Sequence, residues 1–472
     1  MDSKLRNPLI ACVALLLSAV AWFFGTGLHP HWYLTWLAPL PVLLAAPRLS
    51  RWSSFAVAFA GFAFGACNSW SYDRVVAPLW LVLVMVLAPA LVFAWIVSVH
   101  RRFVLRGQLI RAAFAVPVLW CAFEYLLEFR SPHSTWGNFG YTQMDFLPIL
   151  QIASVTGIWA ISFAVFLFAA ACAVLAAPTG KQKLAVAVLG VVFYVIVFGY
   201  GSYRLHSEAQ SPRATAGLIA TDDLHTLSPI GARTVSLVRA YAGHIPELAA
   251  QGAEVIIVPE KIGRIQGSDL DQADAILEQA ARENHVTILV SFEHQPNLHE
   301  ARLYSPEGKL EATYEKHHML PAFESHLLPG TARVVVDRPS GKWGIEICKD
   351  MDFPLLARQY ALDGAGLMLV PAWDFIADGW LHGRMAIMRG VESGFSIART
   401  PKQGILSLSD DRGRVLAEKP SSAAPFSELV GSLPVRNEPT FYARTGDWFA
   451  WLNLLLAVIL FLPVTHKGET AA

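Results

Sequence analysis

Three side chains in this sequence have the types that nucleophilic acyl chemistry needs: Glu260, Lys316 and Cys348. A cysteine attacks as its thiolate, and a free pKa of about 8.5 leaves only a minority ionised at neutral pH. A nearby carboxylate can take the proton. A nearby ammonium can lower the thiol pKa and stabilise the oxyanion formed on attack. The order Glu, Lys, Cys is neither a Ser/His/Asp nor a Cys/His triad. The other cysteines, Cys12, Cys67, Cys121 and Cys172, lie in apolar runs, where a thiol packs as a small hydrophobe. The bland alternative is that Cys348 packs in the same way and that Glu260 and Lys316 are solvated charges.

The elements around these residues favour chemistry. Trp343 to Cys348 alternates and reads as a buried strand ending on the thiol. Phe353-Pro354 then supplies turn or helix-start chemistry. Glu254 to Glu260 reads as a second strand ending on a carboxylate. Lys316 lies in the polar, His-rich loop Tyr314 to His318. His317 and His318 are adjacent and point opposite ways in an extended segment, one to pack and one toward the site. Strand ends and loops are where α/β folds build their sites. Further strands are expected at 216–220, 286–292, 334–336, 366–370 and 405–409, with 255–258 as the apolar body of the second strand. Helices are expected at 234–251, 269–284, 354–363 and 379–392. This alternation predicts an α/β domain over residues 206–440.

Residues 1–205 differ in kind. The 472-residue chain is 54% hydrophobic and 16% charged, with mean hydropathy +0.41. That is too apolar for one soluble globule. Apolar runs cover 8–25, 32–47, 53–71, 79–99, 112–128, 151–177 and 184–203, and predict seven spans. Pro39 and Pro41 make the second kinked or re-entrant. An eighth run, 446–464, falls in the C-terminal part, 441–472. Lys4/Arg6, Arg48/Arg51, Arg101/Arg102/Arg106/Arg111 and Lys181/Lys183 fall on one side, with Lys467 after the last run. That side is expected in the cytoplasm, which puts 206–440 outside. Net charge is zero, so no nucleic-acid footprint is expected. No P-loop, GxGxxG, HExxH, CxxC or Cys/His metal spacing occurs, so neither cofactor nor metal is expected.

Val258-Pro259-Glu260, the run Lys316 to Glu324, and Ile347-Cys348 resemble the Glu-Lys-Cys motifs of the nitrilase (carbon–nitrogen hydrolase) superfamily. Trp136 to Tyr141, then Gln151 and Gly157, resembles a loop and helix of the apolipoprotein N-acyltransferase family. So do Tyr442 to Trp448 and His382 to Glu392. The resemblance covers nearly the whole chain. It implies a multi-pass α-helical membrane domain carrying an extracytoplasmic α/β nitrilase-like αββα sandwich, in the inner membrane of a bacterium. It further implies acyl transfer from a phospholipid donor, through a thioester on Cys348, to the N-terminal amine of a lipoprotein acceptor, by a monomer. Glu260 would be the base, Lys316 the oxyanion partner with the Lys349 backbone N–H, and Glu324 an orienting or proton-relay carboxylate.

The chain departs from the pattern in places. After the cysteine an aromatic and a glutamate are usual, and here Lys349-Asp350 stand. Asp350 keeps the acid in shorter form, and Lys349 is expected to put a second cation beside the thiol. Trp373 matches a tryptophan of a family stretch and equally suits a core position. The loop after Arg399 lacks the family's asparagine. Trp136 and Tyr141 line a lipid entrance or anchor the interface as aromatics. Glu124 and Glu128 lie near the outer end of a span. Arg384 and Arg389 are expected as ion-pair partners. A different amine acceptor, a membrane-tethered amidase acting on a small amide, and a non-catalytic scaffold remain open.

Overall fold

Proline, glycine and apolar length divide the first half of the chain into helices. The computed structural model describes residues 3–463 except 178–179, 208–209 and 224–227; Lys467 lies outside the described residues. The helices are α1 (Ser3–Gly25), α2 (Trp32–Leu37), α3 (Leu40–Ala45), α4 (Arg51–Ala66), α5 (Trp70–Val76), α6 (Leu79–Leu105), α7 (Leu109–Glu128), α8 (Leu147–Leu150), α9 (Ala153–Thr156), α10 (Trp159–Leu175) and α11 (Lys183–His206). The stretches Arg6–Gly25, Leu79–Leu105, Leu109–Glu128 and Lys183–His206 are long and apolar enough to cross a bilayer. The other expected spans are shorter or broken. Residues 32–47 split into α2 and α3 around Pro39 and Pro41, as proline in a helix interior requires. Residues 151–177 do not form one helix: Gly157, at φ +69, separates α9 from α10.

Small residues bring the helices together. A Cβ added at Gly65 of α4 would lie 2.1 Å from Trp22 Cβ of α1. Close backbone approach of this kind is how apolar helices associate where no water drives them together. Arg101 donates to the carbonyls of Ala46 and Leu49, and Arg111 to that of Leu462. These arginines gather at one end of the bundle. At the opposite end, Tyr72 of α5 donates to Asp378 at 2.6 Å, where the second half of the chain docks.

That half contains two sheets. One has the order β13-β1-β2-β4-β5-β6, with β3 beside β4. Its strands are β1 (Arg213–Ala220), β2 (Val255–Ile257), β3 (Arg264–Ile265), β4 (Thr287–His294), β5 (Leu298–Tyr304), β6 (Leu310–Glu315) and β13 (Ser427–Pro434). The other runs β12-β11-β10-β9-β8-β7, from β7 (Val335–Arg338), β8 (Gly341–Ile345), β9 (Ala365–Trp373), β10 (Ser396–Lys402), β11 (Ile405–Ser409) and β12 (Val415–Pro420). Period-two alternation sorts the faces. Ala216, Leu218, Val255 and Ile257 pack inward against Ile345, Leu367, Leu369 and Ile397 of the facing sheet. Ile219, Ile256 and Val258 point outward to Val238, Leu248 and Leu277 on α12 (Ala232–Ala250) and α13 (Gly267–Asn284). Helices α14 (Pro354–Leu362) and α15 (Gly379–Ser393) cover the other sheet. The result is the expected αββα sandwich.

Helix α15 has a second role. Its Leu381, Met385, Met388 and Val391 pack among Ile149, Ile158, Ile161 and Val165 of the helical bundle. Glu392 accepts from Ile158 N at 2.7 Å. After β13, α16 (Phe441–Thr445) and α17 (Trp448–Leu460) return along the bundle, held where Asp447 accepts from Trp159 at 2.9 Å and Tyr442 at 2.8 Å.

Replacing Gly65 by valine forces α1 and α4 apart. Overpacking of this kind costs about 1–3 kcal/mol, so Gly65→Val should lower the thermal midpoint of the detergent-solubilised protein. An unchanged midpoint would show that the α1–α4 contact is loose.

Candidate functional site

Strand β2 ends at Ile257, and Val258-Pro259 carries the chain to Glu260, which is 2% exposed. Its backbone N–H is anchored on the Ala372 carbonyl near the end of the facing sheet's β9. Lys316 follows β6 directly and is equally buried. Its ammonium donates to Glu260 Oε1 at 2.8 Å and to Glu324 Oε2 at 2.9 Å. Glu324 also accepts from Lys261 Nζ at 2.5 Å and from Leu320 N at 2.8 Å. His299 lies 3.5 Å from Glu260 and 3.4 Å from Glu324. Carboxylate and imidazole atoms of Glu260, His299 and Glu324 lie within 4.8 Å of one another, a spacing that would suit a metal. The cation between these carboxylates is the Lys316 ammonium.

Electrostatics follow from burial and pairing. Burial pushes the Glu260 carboxyl up, but Lys316 and then His299 outweigh it and hold it below its ordinary range. Glu324 is held low in the same way, with Lys316 again outweighing burial. Burial works against the charge on Lys316, yet Glu260 and Glu324 raise its pKa well above the usual lysine value. The three form a fixed −/+/− cluster.

Cys348 differs from its expected setting. Strand β8 stops at Ile345, and Cys348 opens a turn of 3-10 helix, Cys348–Asp352, with φ +44. A left-handed backbone at a non-glycine residue is strained, and such strain collects at functional sites. The residue keeps a partly exposed edge, and its Sγ lies 3.6 Å from the Trp373 carbonyl. Burial pushes the thiol well up; Glu260 adds to this, while Lys316 opposes it. The resting cluster is therefore thiol, carboxylate and ammonium. Asp374 and Arg399 also act on the thiol. They form a buried two-pronged ion pair of 2.9 and 2.5 Å.

Asp350 ties the turn that opens with Cys348 to the lysine loop. It is fully buried and accepts from Ile347 N at 3.2 Å, His318 N at 2.8 Å and Tyr314 OH at 2.7 Å. The His318 ring also reaches it, at 3.0 Å, and stacks on Phe353 at 3.5 Å. His317 instead stacks on Tyr314. Lys349 requires a correction. Its ammonium turns away, to Asp352 at 3.1 Å and His133 Nδ1 at 3.3 Å. It does not figure among the leading charges on the thiol. The short Asp352 partner, three residues on, draws it off.

Trp373 stands beside the thiol with its indole donating to Gln403 at 2.9 Å. Trp136 is partly exposed, stacked on Tyr72 and 4.8 Å from the His382 ring. Tyr141 is 2% exposed and lines no opening. Its hydroxyl pairs with Thr135 at 2.5 Å and accepts from Arg389 at 2.9 Å. Arg389 also pairs with Glu392, and Arg384 with Glu418. Glu124 accepts from Phe139 N and Glu128 from Asn138, so both carboxylates hold the loop before α8. Sequence reasoning missed His299, Lys261 and Asp374. Lys261, next to Glu260, carried a signal; His299, in a polar run without pattern, carried none.

Two family profiles match the chain: "Apolipoprotein N-acyltransferase N-terminal domain" over residues 14–171 and "Carbon-nitrogen hydrolase" over residues 233–400. An apolipoprotein N-acyltransferase of Geobacter metallireducens is 27% identical, over 96% of this chain and 94% of the relative. One of Vibrio parahaemolyticus is 23% identical, over 98% of each. Among solved structures, an amidase from Nesterenkonia sp. is similar with TM-score 0.42 and 20% identity, covering 52% of this chain and 98% of its own. Saccharomyces cerevisiae Nit3 is similar with TM-score 0.41 and 20% identity, covering 48% and 93%.

The site has a pH signature. Glu260, Glu324 and Asp350 are held below their ordinary 4.5, 4.5 and 3.8; for Asp350, His318 and Lys316 outweigh burial. As pH falls, the unfolded chain binds protons first. Their stabilisation is complete above about pH 4.5 and is lost progressively below it. Their contribution to the thermal midpoint should be level above that pH and fall beneath it. Asp350→Asn turns an N–H toward donors and should cost about 1–3 kcal/mol at pH 7. A midpoint indifferent to pH down to 3 would contradict the charge assignments.

Proposed function

We propose a function from one premise: the chain belongs to the apolipoprotein N-acyltransferase family, within the nitrilase superfamily. It moves a fatty acyl group from a phospholipid, through a thioester on Cys348, to the N-terminal amine of a diacylglyceryl-cysteine lipoprotein. The observation that carries this reading is the place of the reactive cluster. The turn that opens with Cys348 is held against the helical bundle by Thr135, which donates to the Asp352 carbonyl at 2.9 Å. Both proposed substrates are anchored in a bilayer, so their reaction belongs at that boundary. Confinement to one surface also raises their effective concentration.

Glu260 is the base. Its carboxylate is charged and the thiol neutral, so the proton moves as sulfur attacks the ester carbonyl carbon. A C–S bond forms, and the carbonyl oxygen becomes an oxyanion. Lys316 spends two of its N–H bonds on Glu260 and Glu324, and the third meets the oxyanion with the Lys349 backbone N–H. Collapse breaks the C–O bond, and the lysophospholipid oxygen takes the proton from Glu260. The acceptor amine then attacks the thioester. A C–N bond forms, the C–S bond breaks, and the amine proton returns to sulfur by way of Glu260. Glu324 keeps Lys316 aimed between the two steps.

The arginine- and lysine-rich end of the bundle faces the cytoplasm, and the αββα domain lies on the periplasmic side of a bacterial inner membrane. Trp136, beside Tyr72 and His382, borders the lipid approach.

Purified protein in micelles containing a phospholipid labelled in its acyl chain should acquire label on Cys348. A diacylglyceryl-cysteine peptide should then discharge it to its own amine. Cys348→Ala should acquire none, and Glu260→Gln should slow labelling about 10²–10⁴-fold. Ammonia from a small amide, with no label from lipid, would overturn the reading.

A further inference from the structure

Strand β10 ends on a lysine that the scheme above does not use. Lys402 is 2% exposed. Its ammonium lies 3.6 Å from the centre of the Trp373 indole and donates to the Lys261 carbonyl at 2.8 Å. Lys261 directly follows Glu260 and is held in the left-handed region at φ +42, a conformation that a residue with a side chain keeps only when its surroundings fix it. On the other side, β9 and β10 pair with Lys402 opposite Trp373, and the Lys402 carbonyl accepts from Asp374 N at 3.1 Å. Trp373 in turn offers its carbonyl to the thiol. One ammonium therefore touches the carbonyl of the residue after Glu260 and the ring of the residue whose own carbonyl faces the thiol.

We propose that Lys402 is a positioning residue for the acyl transfer: its ammonium locks the Lys261–Ile262 peptide, one residue past Glu260, to the Trp373 indole, and so sets the gap across which the Cys348 thiol passes its proton to Glu260. The inference rests on the functional reading given above. Among the described charges facing Lys402, Glu260 and Asp222 favour its ammonium and Lys261 opposes it. The Lys261 ammonium lies 5.6 Å from the same indole. Asp222 is itself engaged by Gln403 N at 2.6 Å and Ser421 at 2.7 Å.

Burial against that ring draws the Lys402 pKa down to about 7, with Glu260 pulling the other way. The sign follows. Below about pH 7 the ammonium is charged, holds the indole by its cation–π attraction, and keeps a positive charge near Glu260. Above it the proton leaves and both effects fade. The positioning action has its own pH limb, separate from ionisation of Glu260, which is complete well below neutrality.

The test measures single-turnover thioester formation on Cys348 in full-length protein, in micelles of acyl-labelled phosphatidylethanolamine, from pH 6 to 8.5. The wild-type rate should fall about three- to ten-fold across that range. Lys402→Arg, which stays charged throughout, should hold its rate within about two-fold. Lys402→Met should be about ten-fold slower at pH 6 and show no limb. Should Lys402→Met fail to fold, the arginine profile decides. An arginine variant that keeps the wild-type limb, or a methionine variant with the wild-type rate, overturns the inference. A wild-type protein that never acquires label on Cys348 instead overturns the functional reading on which it rests.

Discussion

A lysine ammonium buried between two glutamates is the constraint on which the rest of this site depends. Lys316 is 2% exposed, and an isolated charge at such a position is costly. Glu260 and Glu324 offset that cost, but only if the ends of β2 and β6 and the loop to Glu324 stay in register. Each neighbour then serves the pairing. His299 and Lys261 flank the carboxylates, and Leu320 N fixes the Glu324 side chain. Removing one partner of such a buried cluster strands the others, which is why buried pairs are costly to break even where forming them adds little net stability.

The sequence displayed the elements whose burial is one-sided or complete. Strands β2, β4, β8 and β9 and helices α12 to α15 lie close to where their apolar period places them. Strands β5 and β6 escaped notice because His299, Glu300, Arg302, Glu311 and Thr313 interrupt the apolar pattern. Their polarity has a reason: Arg302 pairs with Asp274 and Glu300, and β6 is an edge strand. Glu260 and Cys348 were legible because each follows an apolar strand, and Lys316 because it stands in a polar, His-rich loop. The role of Asp350 was half-legible. Its acidity could be read, but not that one carboxylate would gather N–H groups from two separate loops. Lys349 was misread because sequence adjacency does not give side-chain direction. Cys348 turns left-handed, and the next side chain swings toward Asp352 and His133.

The same turn joins the sandwich to the helices. Lys349 reaches His133, Thr135 reaches the Asp352 carbonyl, and Tyr72 reaches Asp378. The first two lie on the turn that opens with Cys348, and the third on the short segment between Trp373 and α15. Tyr141 belongs here too, as a strut between Thr135 and Arg389 rather than a wall of any opening. A domain docked through the loops of its own site leaves little room for the site to face water on that side.

A neutral thiol at rest suits that setting. A thiolate enclosed away from water would need a permanent counter-charge, and Lys316 is already committed to two carboxylates. Arg399 is likewise matched by Asp374. On the proposed reading, ionisation of Cys348 is deferred to the moment when an acyl carbonyl is in place to accept the charge. On the proposed reading, negative charge then passes from Glu260 to the oxyanion while the cluster's total stays constant. Charge that moves within a fixed cage needs less reorganisation than charge that must be created there. It also ties reactivity to occupancy: without an acyl carbonyl against Lys316, the proton that Glu260 would take has no reason to leave sulfur.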